Sequence, residues 1–187
     1  MKSYKYFIAI LLFIFIGLAC FAQDNKPLNR FVEISFNYTK QSGFSSNQFA
    51  VWIENSSGEF IKTIYATNFT ARGGWEKRPV SISEWVKKSG LAKLNKTEID
   101  TFAGATPKEG AIKYFWNCTD KTGKPVADGE YKFFLEGTLR GENKVIYSGI
   151  IKIGNEKNEA IVKTDYFGNG AEKEKSMLGA VKAVFIP

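Results

Sequence analysis

From residue 30 onward this chain is built of short apolar or alternating runs, each cut off by a turn rich in glycine, asparagine or aspartate. Runs of that length and spacing leave little room for anything but β-structure. Arg30–Thr39 sets Val32, Ile34, Phe36 and Tyr38 on one parity and Phe31, Glu33 and Ser35 on the other. Asn47–Asn55 alternates Phe49, Val51 and Ile53 against Ala50, Trp52 and Glu54. After the turn Ser56-Ser57-Gly58, Glu59–Asn68 resumes, so the two runs read as a hairpin. Ile112–Thr119 places Ile112, Tyr114, Trp116 and Cys118 on one face. Turns at Asp120–Pro125 and Asp128-Gly129 lead into Glu130–Arg140, where Tyr131, Phe133 and Leu135 oppose Lys132, Phe134 and Glu136. Gly141-Glu142-Asn143 is a further hairpin turn before Val145–Ile153, and Ala160–Tyr166 and Val181–Ile186 read as closing strands. Aromatic residues make up 15% of the chain, enough for a well-packed β core. The expected fold is all-β: an immunoglobulin-like antiparallel β-sandwich with a short helical insertion.

The insertion occupies residues 70–108. Ala71-Arg72-Gly73-Gly74 is a loop signal, and Ser83–Lys88 reads as a short helix entered near Ser81 or Ser83 and stopped by Gly90. A second helical turn is expected over Lys96–Thr101, and Ala103–Gly110 reads as loop. About 40 residues is more than a plain connection needs, and long loops often carry function. Arg72, Trp75, Lys77, Arg78 and Trp85 fall together here, and aromatic and arginine side chains are favoured where proteins dock. Arg72, Trp75, Arg78 and Trp85 are therefore the candidate partner-binding residues. The alternative is that Trp75 and Trp85 cap the open end of the sandwich while the cations face water.

The start of the chain reads as an export signal, residues 1–22. Lys2 and Lys5 precede an apolar run from Phe7 to Ala19, and Cys20-Phe21-Ala22 offers small residues at −3 and −1 of a cut before Gln23. The run is shorter than a membrane-spanning helix requires, and no comparable run follows it. A rival reading takes Gly17-Leu18-Ala19-Cys20 as a lipidation box with Cys20 acylated. Cleavage leaves about 165 residues for one sandwich domain, residues 23–187, and by removing Lys2 and Lys5 lowers the formal net charge from +7 to +5. The basic residues are scattered singly among the strands rather than clustered, which argues against a nucleic-acid surface. Cys118 is then without a disulfide partner, and a buried, inert thiol is the default reading.

The chemistry open to the chain is narrow. It has no histidine, which removes Ser-His-Asp and Cys-His sites, histidine-based zinc or copper sites, and the usual neutral-pH base. Asp100, Glu109, Asp120, Asp128 and Asp165 sit at turn-like positions where acidic side chains serve the local backbone. Asp120-Lys121-Thr122-Gly123 lacks the acidic series of a calcium loop, and Gly168-Asn169-Gly170 lacks the strand-and-helix context of a nucleotide motif. No catalytic residue, metal ligand or cofactor is expected.

Two stretches carry a resemblance. The first is NQFAVWIENSSGEFIKTIYATNFTARGGWEKRP with the tryptophan of SEWV. The second is DTFAGATPKEG with YFWNCTDKTGKPVADGEYKFFLEG. They resemble a family of bacterial predicted periplasmic proteins of unknown function and span Asn47 to Gly154, leaving the later strands outside. The spacing of Trp116, Asp120, Gly123, Val126, Gly129 and Tyr131 is also similar to the immunoglobulin-like module of the flagellar hook-capping protein. The resemblance implies an exported single domain, accessory to a membrane redox or metal-acquisition system, with no catalytic residue to carry over. The expected function is a non-enzymatic binding module that docks another envelope protein; the alternative is an appendage-associated immunoglobulin-like spacer.

Overall fold

The computed structural model describes residues 30–42, 47–174 and 177–187; the expected leader, with Cys20, lies outside them. The strands are β1 (Phe31–Tyr38), β2 (Phe49–Asn55), β3 (Phe60–Thr67), β4 (Ala103–Gly104), β5 (Gly110–Trp116), β6 (Gly129–Thr138), β7 (Lys144–Ile153), β8 (Asn158–Glu159), β9 (Lys163–Phe167) and β10 (Leu178–Ile186). Between β3 and β4 lie α1 (Trp75–Lys77), α2 (Ser83–Ser89) and α3 (Lys96–Asp100). One sheet has the order β5-β1-β10-β8 and the other β4-β3-β2-β6-β7-β9.

The two sheets pack as a sandwich because one parity of each long strand is apolar. Val32, Ile34, Phe36 and Tyr38 of β1 join Phe49, Val51 and Ile53 of β2 and Tyr131, Phe133 and Leu135 of β6 in one buried core. The expected parities and the β2–β3 hairpin are as observed. Gly149 of β7 allows a close approach in this layer: a Cβ there would fall 2.8 Å from the Phe133 ring and from the carbonyl oxygen of Ile161. A glycine inside a strand commonly marks such a contact.

A second core lies on the opposite face of the larger sheet. Ala50 and Trp52 of β2 and Ala66 of β3 are covered by Ala71, Ile82, Trp85 and Leu91 of the insertion. The indole of Trp52 stacks on Phe134 with ring centroids 4.9 Å apart and an interplanar angle of 6°. Stacked rings of this kind add to the stabilisation that their burial provides. β2 is therefore buried on both faces, with sandwich below and insertion above. The segment read as loop after residue 103 begins with a strand, β4, which pairs in parallel with β3 and makes the larger sheet mixed. Two residues are too short to leave an alternating pattern, and the hydrogen bond from Ala66 N to Phe102 O (3.1 Å) draws them to the sheet edge.

Candidate functional site

The insertion leaves β3 through a tight turn, Thr70–Gly74, that continues into α1. Gln48, buried at the root, receives the Thr67 hydroxyl at 2.6 Å, the Thr70 hydroxyl at 3.1 Å and the Thr70 backbone N–H at 3.2 Å on one side-chain oxygen. Gly73 takes φ +97°, the left-handed side that a side chain disfavours. Gly74 is required for contact: a Cβ there would collide with the carbonyl oxygen and ring of Phe69. Phe69 is thereby held over the turn while 47% exposed.

α2 starts without a side-chain cap of its own. The helix begins at Ser83, within the expected entry, but Ile82 before it is left-handed at φ +41° and neither Ser81 nor Ser83 caps it. β6 supplies the acceptors that the first helical N–H groups need. Thr138 Oγ1 accepts the Ile82 N–H at 2.9 Å. The two oxygens of Glu136 accept Glu84 N–H at 3.2 Å and Trp85 N–H at 2.8 Å. Lys144 Nζ bridges Glu84 at 3.0 Å and Glu136 at 3.8 Å. Burial pushes the Glu136 carboxyl up to about 7, against the lowering effects of those N–H groups and Lys144. At the far end Gly90 closes α2 in the left-handed conformation, as its place in the sequence predicts, and Lys88 pairs with buried Glu54 at 3.1 Å. The insertion is thus a plate bolted to the sheet.

The four candidate residues divide accordingly. Trp85 has no exposed surface; its Nε1–H donates to Thr63 Oγ1 at 3.0 Å and its ring meets Phe102 edge-on. It cannot touch a partner, and it packs on the outer sheet face rather than across an open end. Trp75 is half-buried against the same cluster. Arg72 is exposed but already engaged, pairing with Asp100 at 2.7 Å and donating to Asn68 Oδ1 at 3.2 Å. Arg78 donates to the carbonyl oxygen of Gly141 at 3.2 Å, tying the plate to the β6–β7 turn. The structure gathers Arg72, Phe69, Glu76 and Lys77 around an open depression of about 440 Å³, which Trp85 does not line. Sequence reasoning misses Phe69 because an isolated aromatic just after a strand reads as core. The signal that could have found it is the Gly73-Gly74 pair, which marks a close backbone approach.

Cys118 and Asp120 lie in local structural surroundings. Cys118 is buried, and burial pushes its thiol up to about 11. Asp120 accepts Thr122 N–H at 2.8 Å and Lys124 N–H at 3.0 Å, the turn role its position predicts. With the Thr122 hydroxyl, these bonds hold its carboxyl below the ordinary range. Among the described residues no three histidine, cysteine, aspartate or glutamate side chains converge as a metal site would require.

These features define a class: a two-sheet β-sandwich with a plate-like insertion clamped to the outside of its larger sheet. The family model described as a predicted periplasmic protein, DUF2271, matches residues 29–168, about three quarters of the chain. The chain belongs to this family, and its place is the periplasm. The match runs past Gly154 through β8 and β9, further than the resemblance read from the sequence, and leaves out β10. Among the described residues no helix is long and apolar enough to cross a membrane. None of the curated proteins or solved structures compared with the chain matches it significantly.

Proposed function

We propose that this is a non-enzymatic periplasmic binding module that docks another envelope protein through the exposed rim of the insertion. Phe69, Arg72, Lys77 and the edge of Trp75 form the contact, with Trp85 as its buried support. The observation that carries the reading is a half-exposed phenylalanine among cations on a rim whose backbone is already immobilised. Side chains held this way lose little freedom on binding, so more of the contact energy appears as affinity. The association drawn from the resemblance makes a component of a membrane redox or metal-acquisition system the first partner to test.

An immunoglobulin-like assignment is supported by two contacts: Trp116 packs edge-on against Tyr131 at 5.2 Å, and Tyr131 OH donates to the Ala127 carbonyl at 2.9 Å. They are similar to the buried tryptophan and tyrosine corner of that architecture. The spacer alternative fits less well, because Phe31 at the head of β1 pairs directly with Ile186 at the foot of β10. A module strung in a line carries its entry and exit strands at opposite poles, and here they lie side by side.

The test is cross-linking and capture from envelope extract with wild type and a Phe69→Ala/Lys77→Glu variant. Both substitutions spare the second core. A partner retained by wild type and lost by the variant supports the reading; equal recovery by the two removes the rim as a docking surface.

A further inference from the structure

Among the described residues the two sheets end on β5, β8, β4 and β9, and the fold protects three of these edges. β4 and β8 are two residues long. The flank of β5 is covered where Tyr65 of β3 stacks on Tyr114 at 4.4 Å and Lys62 reaches Thr119 at 2.8 Å. β9 differs. It pairs with β7 on one side, and among the described residues no strand lies on the other. Its register with β7 runs from Lys144↔Phe167 to Ser148↔Lys163, and just before it Ala160 donates its N–H to the Ala183 carbonyl of the other sheet, so Ile161 lies where the chain crosses between the sheets. Ile161 is 93% exposed, Ile150 57% and Phe167 44%. An open edge bordered by exposed apolar side chains is a template for another strand.

The residues along this edge are self-complementary. Lys163 and Asp165 lie on the same side of the strand and pair with each other at 2.9 Å. An antiparallel copy of the same strand, related by a two-fold axis at Thr164, places Lys163 opposite Asp165 of the second copy and Asp165 opposite its Lys163. The four charges then alternate in sign around a square. A register centred on Asp165 would instead oppose two carboxylates, which is unfavourable.

We propose that the outer edge of β9 is a homotypic docking edge, where a second copy adds its own β9 antiparallel about Thr164 and joins the two larger sheets into one. The interface is isologous, as a closed dimer requires. It is also small, so the association is weak and concentration-dependent. It uses neither the insertion nor its rim and stands independently of the docking role proposed there.

Sedimentation of the exported chain from about 5 to about 500 µM tests it, a range that spans weak association. The expected result is a reversible rise in average mass toward that of a dimer. Lys163→Asp and Asp165→Lys, each alone, should weaken association about tenfold, because like charges then face each other twice. The double variant Lys163→Asp/Asp165→Lys restores the alternation and should recover dimerisation. Both positions are on the surface, and an unchanged circular-dichroism spectrum and melting temperature verify folding of each variant. A monomer over the whole range overturns the proposal, as does a dimer indifferent to the single reversals or a double variant that fails to recover.

Discussion

The carboxylate of Glu136 accepts the backbone N–H of Trp85 at 2.8 Å, 51 positions earlier in the chain, and its other oxygen takes the N–H of Glu84. A strand side chain thus does the work that a helix ordinarily assigns to its own capping residue. The stability of the insertion is thereby coupled to that of the sheet.

Glu136→Gln keeps the shape of the side chain but presents an amide N–H to one of the two donors. Loss of one buried acceptor should cost about 1–3 kcal/mol. Urea unfolding followed by tryptophan fluorescence measures it, and a variant as stable as wild type would show that the cap is dispensable.

The same carboxyl makes stability depend on pH. In the fold it is raised to about 7 from the 4.5 of an unperturbed glutamate, chiefly by burial. Lys144 and Glu84 are the charged groups that face it. The native chain therefore binds this proton more tightly than the unfolded chain. The stabilisation is fully present below about pH 4.5 and is lost as pH rises through about 7, to a total of at most about 3 kcal/mol. The difference in unfolding free energy between wild type and Glu136→Gln, measured at about pH 5 and about pH 8, should shrink at the higher value. A difference independent of pH would mean that the carboxyl stays ionised throughout.

Removing the support beneath the insertion should release it without unfolding the sandwich. Trp85 is fully buried, and its indole bonds to Thr63. Deleting such a side chain, as in Trp85→Ala, costs about 3–5 kcal/mol. Hydrogen exchange should quicken across α2 and α3 while β6 and β7 keep their protection, since the inner core is untouched. Uniform loss of protection would mean that the two cores fold as one unit.

Adjacent glycines in the turn should answer differently to the same substitution. At Gly73 an added methyl meets open space, so Gly73→Ala carries only the penalty of its positive φ, about 1 kcal/mol. Gly74→Ala drives the methyl into the Phe69 carbonyl and ring and should lower the melting temperature further while displacing Phe69. Equal melting temperatures for the two would refute the close contact.

Strand parity is legible in the long strands, from Val32, Ile34, Phe36 and Tyr38 to the hairpin at Ser56-Ser57-Gly58. So is the stop of α2 at Gly90, because a glycine after the last helical turn can take the left-handed conformation that ends it. The start of α2 near Ser83 is legible too, but what caps it is not. Ser81 and Ser83 are the residue types that usually cap, and nothing near them in the chain discloses that Glu136 and Thr138 do it instead. Trp85 reads as a docking residue because tryptophan and arginine share its segment; which of them lies beneath depends on what the segment covers.

Alternation along a strand is a local property: successive side chains point to opposite sides whatever the strand's neighbours are, so the residues alone settled which faces would be apolar. They also settled that the chain has no histidine to titrate or to bind metal. Tertiary structure decided which sheet each strand joined, that the outer face of β2 would be roofed by the insertion, and that β9 would have no strand beyond it among the described residues. Those outcomes depend on contacts between segments tens of residues apart, and no pattern within a single segment encodes them.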